Sequence, residues 1–422
     1  MKKNAVKGSL GAIALASVMT MSMGTPVFAG ERPVKPGYDT VIGGTKTTAF
    51  DKYLVMDEEA EVPNASFTYA VTAGRAKAYD VAGKKFEVLA GVDADKVTMA
   101  GVGSKTAGTI TYKPGDATLN DKNALVKDFA NSFRKKYAKK TATLDFSACR
   151  FTEPGIYRYI VTESGTNQAV TNDADATRVV DVYVMNDDSD DDYDYLRGKL
   201  KIAGYVLHSN ADDAPDVSLG ENHGSAGSYA GTKSQGFTNS YDTSNIFIRK
   251  EVSGNQASRD KYFEFTVSIT DAVPGTVYHV TLVGAPSTTP SNAATIKANE
   301  GKTNPTTLTV GADGTVTAKF YLAHYQEIQI NGVAKGSKYK VTENAEDYKS
   351  TSLDAVDHED RALALSGTVA SEDIMTGYLN TRDGVIPTGV IMTVAPFAAV
   401  TLLGGVGAVT MVMKKRKSSE EE

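Results

Sequence analysis

The sequence predicts an all-β protein with two tandem immunoglobulin-like β-sandwich domains. Short runs in which apolar and polar residues alternate recur along the chain, separated by turns rich in glycine and proline, as in half-buried strands. The clearest runs are residues 67–71, 157–161, 263–267 and 339–341. The order of the chemically distinctive residues also occurs twice, with a joint near residues 240–244. We therefore expect one domain at residues 30–240 and a second at residues 245–383.

The first domain is the longer one, and its additional length is expected in two surface loops. These loops are predicted at about residues 73–141 and 186–231. Residues 123–136, inside the first loop, are expected to form a helix.

The two ends of the chain predict export followed by anchoring. Three lysines precede the apolar residues 10–21, and small residues follow at a cleavage position, so residues 1–29 are predicted to be a signal peptide. The uncharged residues 390–413 are long enough to cross a bilayer as a helix. The tail, residues 414–422, begins with four basic residues that favour the cytoplasmic side. The alternative is a single-pass membrane protein.

The predicted mature part is acidic, with 38 basic and 48 acidic residues. This balance argues against a nucleic-acid partner and suits a surface outside the cell. Cys149 is the only cysteine, so an internal disulfide is excluded. Any covalent stabilisation must therefore use other chemistry.

A lysine, a glutamate and an asparagine recur in the same order in both halves. The first trio is Lys52, Glu163 and Asn239, and the second trio is Lys250, Glu343 and Asn380. Apolar residues at a spacing of two surround these positions, which places the polar side chains on apolar strand faces. For any one of these residues alone, the alternative is an edge-strand lysine, a solvated glutamate or a turn asparagine.

Such a trio can form a covalent bond without a cofactor. Burial favours the neutral amine of lysine and the neutral acid of glutamate. A neutral amine is a nucleophile, and a protonated glutamate can polarise the asparagine carbonyl and pass protons to the leaving ammonia. The product would be a Lys–Asn isopeptide bond, made once in each domain.

Other possible sites have weak signals. Asp190, Asp192 and Asp194, in the acidic loop at 187–194, are spaced like the first ligands of a calcium loop, but Tyr195 and Lys201 replace the required glycine and glutamate. We interpret this segment as a solvated acidic loop. The histidines show no metal-ligand spacing, and no phosphate-binding loop follows a strand. We expect no metal, no cofactor and no enzyme with turnover.

Several motifs resemble those of sortase-assembled Gram-positive pilins, closest to the streptococcal-type two-domain major pilin. They are the first strand at 248–254, the glutamate motif at 153–163, the last strand at 379–381 and the anchor at 386–397. The resemblance implies internal bonds Lys52–Asn239 and Lys250–Asn380, with Glu163 and Glu343 as catalytic residues. Residues 50–54 depart from the family, because they lack its basic-Val-Ser-Gly context around the lysine.

The resemblance also assigns residues 385–389 as a sortase motif. Sortase would cut between Thr388 and Gly389 and join the Thr388 carboxyl to an amine. Pro387 departs from the family by lying directly before the threonine rather than one residue earlier. The family places the amine donor a few residues before the bonded asparagine, which points to Lys233. Lys199 and Lys201 are its nearest competitors.

The resemblance implies the structural shaft subunit of a covalent pilus anchored in the cell wall. Its expected partners are other copies of itself, sortase and peptidoglycan, with minor pilins and a host surface as further candidates. The alternative is a wall-anchored adhesin or minor pilin with the same domains and a ligand-binding loop. A third class, a surface hydrolase, lacks a clustered catalytic constellation in the sequence.

Overall fold

A computed structural model describes residues 43–81, 83–100, 107–121, 134–187, 200–217, 231–283, 304–354 and 363–385. These residues are strands, turns and loops, with a single 3-10 turn at Ala94–Lys96. No helix among them is long and apolar enough to cross a membrane. The predicted signal peptide and the predicted span at 390–413 lie outside the described residues.

The first domain consists of two sheets. Its strands are β1 (Gly43–Gly44), β2 (Thr47–Asp57), β3 (Ala65–Ala73), β4 (Lys77–Val81), β5 (Lys84–Ala90), β6 (Thr98–Ala100), β7 (Ala107–Tyr112), β8 (Thr118–Leu119), β9 (Lys135–Asp145), β10 (Gly155–Ser164), β11 (Val170–Thr171), β12 (Thr177–Asn186), β13 (Leu200–His208) and β14 (Gly236–Tyr241). One sheet has the order β1-β13-β12-β10-β3-β7, and β5 and β4 extend it beside β10. The other has the order β11-β14-β2-β9-β6, with β8 on β9.

The second domain is smaller and also consists of two sheets. Its strands are β15 (Thr243–Ser253), β16 (Phe263–Thr270), β17 (Val277–Val283), β18 (Thr307–Thr309), β19 (Val316–Leu322), β20 (Glu327–Ala334), β21 (Lys338–Asn344), β22 (Lys349–Ser352), β23 (Ser366–Thr368) and β24 (Ile374–Thr381). The sheet orders are β18-β17-β20-β15-β24-β22 and β19-β16-β21-β23.

Each domain has its own apolar core between its sheets. In the second domain, β15 and β16 alternate strictly between buried and half-buried residues, as expected for strands with one face in the core. In the first domain, β2 is buried from Phe50 to Met56 without interruption, because its two faces are both covered. Lys52 therefore lies in the middle of a fully buried strand.

The structure corrects the end of the expected helix and the two expected loops in the first domain. Residues 122–133 lie outside the described residues, but Lys135 and Lys136 begin β9 instead of ending a helix. Pairing of β9 with β2 along its whole length outweighs the helical tendency of the sequence. The expected loops at 73–141 and 186–231 also contain strands β4 to β9 and β13, so the additional length largely widens the sheets.

In both domains the first long strand and the last strand are parallel neighbours. β14 pairs with β2, and β24 pairs with β15, each in parallel. Only Asp242 separates β14 from β15, so the last strand of the first domain continues into the first strand of the second.

The end of β2 and the segment that follows it contact the second domain. Thr243 Oγ1 donates to Asp57 Oδ2 at 2.7 Å, and Gln329 Nε2 donates to Glu59 Oε2 at 2.9 Å. His279 Nε2 lies 3.1 Å from Glu61 Oε2. The C-terminal end of β2 is therefore the end of the first domain that contacts the second.

Candidate functional sites

The second trio lies in the core of the second domain. Lys250 is on β15, Asn380 is on the neighbouring β24, and Glu343 is on β21 of the opposite sheet. All three side chains are buried. Lys250 Nζ lies 2.6 Å from Glu343 Oε1, which is an ion-pair distance. The angles of this contact fall outside hydrogen-bond geometry. The fold thus places a lysine and a glutamate from two sheets in direct contact.

The surroundings of Lys250 favour its neutral form. Its Nζ lies 4.4 Å from the centre of the Phe263 ring. Burial lowers the pKa of Lys250 to about 8, although Glu343 opposes this shift. A much larger fraction of this amine is therefore neutral near pH 8 than for an ordinary lysine.

Asn380 lies on the same face as Lys250. The parallel register places Lys250 opposite Tyr378 and places Asn380 opposite Val252, two residues after the lysine. Because side chains two residues apart share a face, Asn380 is a diagonal neighbour of Lys250. Neither side-chain polar atom of Asn380 has a hydrogen-bond partner among the described residues.

The first trio has the same arrangement. Lys52 Nζ lies 2.9 Å and 2.7 Å from the two carboxylate oxygens of Glu163, which comes from the opposite sheet. Asn239 lies opposite Leu54, again two residues after the lysine. Lys52 Nζ also lies 4.1 Å from the centre of the Phe67 ring. Burial lowers the pKa of Lys52 to about 8, against the opposing effect of Glu163.

Residues that the sequence reasoning missed surround the first trio. The Tyr69 hydroxyl donates to Glu163 Oε2 in a short hydrogen bond. The backbone N–H of Asp173 donates to Asn239 Oδ1 at 3.0 Å, and Asn239 Nδ2 donates to Asn172 Oδ1 at 3.1 Å. The sequence signal for Asn172 and Asp173 is weak, since two consecutive Asn and Asp residues between short strands usually indicate only a turn.

The two trios provide the groups that an amide exchange requires. Each contains an amine with a lowered pKa, a carboxyl group in contact with it, and a buried carboxamide on the adjacent strand. Holding these groups inside a packed core supplies the proximity that a reaction between two weak partners needs.

Lys233 lies just before β14. It forms an isolated antiparallel bridge with His208, and its Nζ lies 2.6 Å from Asp216 Oδ2. Its side chain is 34% exposed, and the residue as a whole is exposed to solvent. Lys201 is on β13 and pairs with Asp187 at 3.2 Å, whereas Lys199 lies outside the described residues.

The Lys233 region rests on a buried charge network. Arg158 donates from Nε and Nη2 to the two oxygens of Asp181, and His208 Nε2 lies 3.0 Å from Asp181 Oδ2. Arg158 also donates to the carbonyls of Ala211 and Asp213. The loop that supplies Asp216 is therefore tied to the core of the domain.

The remaining predicted positions fall mostly outside the described residues. Val385 is the last described residue and is 88% exposed, and Pro387, Thr388 and Gly389 follow it. Asp190, Asp192 and Asp194 also lie outside. Among the described ranges, no group of His, Cys, Asp and Glu is arranged to hold a metal ion.

Comparison with known proteins gives a consistent result. Residues 39–242 match the family described as a Spy0128-like isopeptide containing domain, and residues 244–382 match a domain of unknown function (DUF7601). A pilin from Streptococcus pyogenes serotype M1 is 26% identical over 390 residues, which is 89% of this chain and 93% of that protein.

Solved structures of two streptococcal major pilins are also similar to this chain. The major pilin of Streptococcus pyogenes aligns with a TM-score of 0.47 and 19% identity, over 81% of this chain and all of the other. The T3.2 major pilin of serotype GAS13637 aligns with a TM-score of 0.45 and 21% identity, over 80% of this chain and all of the other. The sequence matches confirm the expected resemblance to streptococcal pilins, and residues 39–242 are similar to the Spy0128-like isopeptide containing domain.

Proposed function

We propose that this chain is a pilin, the repeating shaft subunit of a covalently polymerised pilus, and that each domain carries one internal isopeptide bond. The bonds are Lys52–Asn239 and Lys250–Asn380, and Glu163 and Glu343 assist their formation. The identical register of the two lysine–asparagine pairs carries this proposal, because two domains of different size share it.

The reaction is an amide exchange that consumes no co-reactant. A proton first moves within the lysine–glutamate pair, which leaves a neutral amine and a neutral acid. The lysine Nζ attacks the asparagine Cγ, and a C–N bond forms. The glutamate takes one proton from the attacking nitrogen and returns one to Nδ2, so the Cγ–Nδ2 bond breaks and ammonia leaves.

Intact mass of the folded ectodomain tests the internal bonds. The wild type should be lighter than its sequence mass by one ammonia per bond. Peptide mapping should find the branched Lys52–Asn239 and Lys250–Asn380 peptides. A folded wild type with its full sequence mass would overturn the proposal.

Assembly requires a donor amine on one subunit and a cleaved threonine on the next. We propose Lys233 as the donor and Thr388, after cleavage before Gly389, as the acceptor. β14 runs parallel to β2, whose C-terminal end contacts the second domain, so Lys233 lies on the side of the first domain away from that contact. Asp57 lies six positions after Asp51, which is opposite the start of β14, and this corresponds to roughly 20 Å of strand.

The C-terminal end of the second domain has the complementary position. β24 runs parallel to β15, which starts at the domain junction, so the chain leaves the domain at the end remote from that junction. The proposed donor and the point where the described chain leaves the second domain therefore lie away from the junction in opposite domains, as head-to-tail joining requires. The signal peptide at 1–29, the span at 390–413 and the wall anchor belong to the same proposal, with sortase and peptidoglycan as partners.

Immunoblots of wall extracts boiled in detergent test the assembly. The wild type should give a ladder of covalent polymers, and Lys233→Ala should reduce it to monomer while both internal bonds persist. Lys201→Ala is the matched control, because Lys201 is also an ion-paired lysine of the same domain. Thr388→Ala should leave the chain uncleaved in the membrane.

An unchanged ladder in Lys233→Ala would move the donor to another lysine. A single band in the wild type would instead favour a wall-anchored adhesin or minor pilin.

A further inference from the structure

A short segment between β11 and β12 holds the carboxamide of Asn239 at both ends. The backbone N–H of Asp173 donates to its oxygen, and the side-chain oxygen of Asn172 accepts from its nitrogen. We propose that Asn172 and Asp173 form a clamp that positions the Asn239 carboxamide for attack by Lys52. This inference rests on the proposed Lys52–Asn239 bond and adds positioning residues to it.

The clamp is fixed to the strand that carries Asn239. Asp173 Oδ2 accepts from the backbone N–H of Thr238 at 2.8 Å and from Arg178 Nη2 at 2.6 Å. Asp173 and Arg178 are both buried, so this ion pair is shielded from solvent. The Asp173 N–H and the Asn239 oxygen thus cannot separate without breaking a buried charge pair.

Arg178 ties the clamp to the rest of the domain. Its Nε donates to the Gly236 carbonyl at 2.7 Å, and its Nη1 donates to the Asp175 carbonyl at 2.7 Å. The guanidinium also lies 4.6 Å from the centre of the Phe237 ring. One side chain therefore connects β12, the clamp and the start of β14.

The two ends of the clamp act on different atoms of the reaction. When Lys52 attacks Cγ, negative charge develops on Oδ1, where the Asp173 N–H already points. Nδ2 is the atom that leaves as ammonia, and its partner Asn172 is exposed to solvent. The leaving nitrogen is thus directed toward the surface. In the second trio, by contrast, neither polar atom of Asn380 has a described partner.

The rate of ammonia loss tests the clamp. Chains that have never folded, recovered in denaturant from inclusion bodies, retain both carboxamides, and dilution starts folding and reaction together. Samples quenched with acid at increasing times are then analysed by intact mass and peptide mapping. Asn172→Ala should slow the Lys52–Asn239 bond by about tenfold or more, while the Lys250–Asn380 bond in the same chain keeps its wild-type rate.

Two further variants separate positioning from folding. Asn172→Asp should recover most of the rate, because it keeps an acceptor oxygen for Nδ2. It loses only the bond that the Asn172 amide donates to the Gly165 carbonyl at 3.0 Å. Asn167→Ala removes a neighbouring carboxamide that bonds to the Ser66 backbone, and it should react normally. Comparing melting of Glu163→Ala with and without Asn172→Ala measures any structural role, because neither chain can form the first bond.

An unchanged first-bond rate in Asn172→Ala would overturn the clamp, and so would equal slowing in Asn172→Ala and Asn172→Asp. Absence of the Lys52–Asn239 bond from the wild type would instead overturn the proposed function itself.

Discussion

The two domains share a reactive geometry but surround it differently. In both, the lysine lies over a phenylalanine ring, contacts a glutamate from the opposite sheet, and shares a face with an asparagine on the adjacent parallel strand. In the first domain, Tyr69 donates to the glutamate and the Asn172–Asp173 clamp holds the asparagine. In the second domain, Phe265 occupies the strand position opposite Glu343, and the Ser350 hydroxyl donates to Glu343 Oε2 at 3.0 Å instead.

This comparison separates the features that the proposed reaction requires from the features that change only its rate. Strand register and burial are common to both trios, so we infer that they suffice to bring the reacting atoms together. The hydrogen bonds around the first trio are additional and can be removed one at a time. The following predictions use each domain as the control for the other.

The largest effect is expected from removing one glutamate. Glu343→Ala should abolish only the Lys250–Asn380 bond, and Glu163→Ala only the Lys52–Asn239 bond, each restoring one ammonia to the intact mass. Each bond closes a loop of more than 100 residues, and by analogy with disulfides its loss should lower the free energy of unfolding of that domain by about 5 kcal/mol. Denaturant titration measures this change.

Asn380→Ala and Asn239→Ala are the controls for these variants, since they block the same bonds and retain the buried carboxylates. A glutamate variant that still lost both ammonia molecules would show that the carboxyl group is not needed.

The next effect is a pH dependence that appears only when a bond is absent. In Asn380→Ala, Lys250 keeps its pKa of about 8 in the folded state, whereas an ordinary lysine has a pKa of 10.5. Between pH 8 and pH 10.5 the unfolded chain binds a proton that the folded chain has lost. The free energy of unfolding therefore rises with pH, by about 1.4 kcal/mol per pH unit. In a wild type that carries the proposed Lys250–Asn380 bond, this nitrogen is an amide and does not titrate.

The difference in unfolding free energy between wild type and Asn380→Ala should therefore narrow as pH rises from 8 to 10.5. Asn239→Ala should behave in the same way because burial also lowers the pKa of Lys52 to about 8. A difference that stays constant or widens would contradict the burial of a free amine at these sites.

The smallest effect is expected from making the first trio resemble the second. Tyr69→Phe removes the hydroxyl that donates to Glu163, and the bond should still form completely, because the Lys52–Glu163 contact and the register of Asn239 remain. Its rate should fall by about 2- to 10-fold, the equivalent of one net hydrogen bond. The refolding time course followed by mass spectrometry measures it, with Tyr112→Phe as the control, since that hydroxyl contacts the Lys52 carbonyl instead. Failure of Tyr69→Phe to form the bond would mean that Glu163 cannot assist the reaction without its hydroxyl donor.

The sequence was most informative where a single residue pattern was enough to predict a strand or a group of neighbouring side chains. Period-two alternation identified the strands of β10, β16 and β21, and the repeated order of Lys, Glu and Asn identified both trios because each residue lies in an apolar context. Strand β9 could not be recognised in this way, since its lysine-rich start is stabilised by pairing with β2. Asn172 and Asp173 were missed because their role depends on contacts to a residue 66 or 67 positions away.

The direct passage of β14 into β15 has a mechanical consequence. If neighbouring subunits pull on Lys233 and Thr388, tension runs along 17 peptide units to Lys250, crosses to Asn380, and runs along eight more to Thr388. The first domain is then attached beside this path, and its Lys52–Asn239 bond is not in series with the tension. The second bond alone would transmit the force. Because most of this path is already extended strand, the shaft would have little length to gain before covalent bonds are stretched.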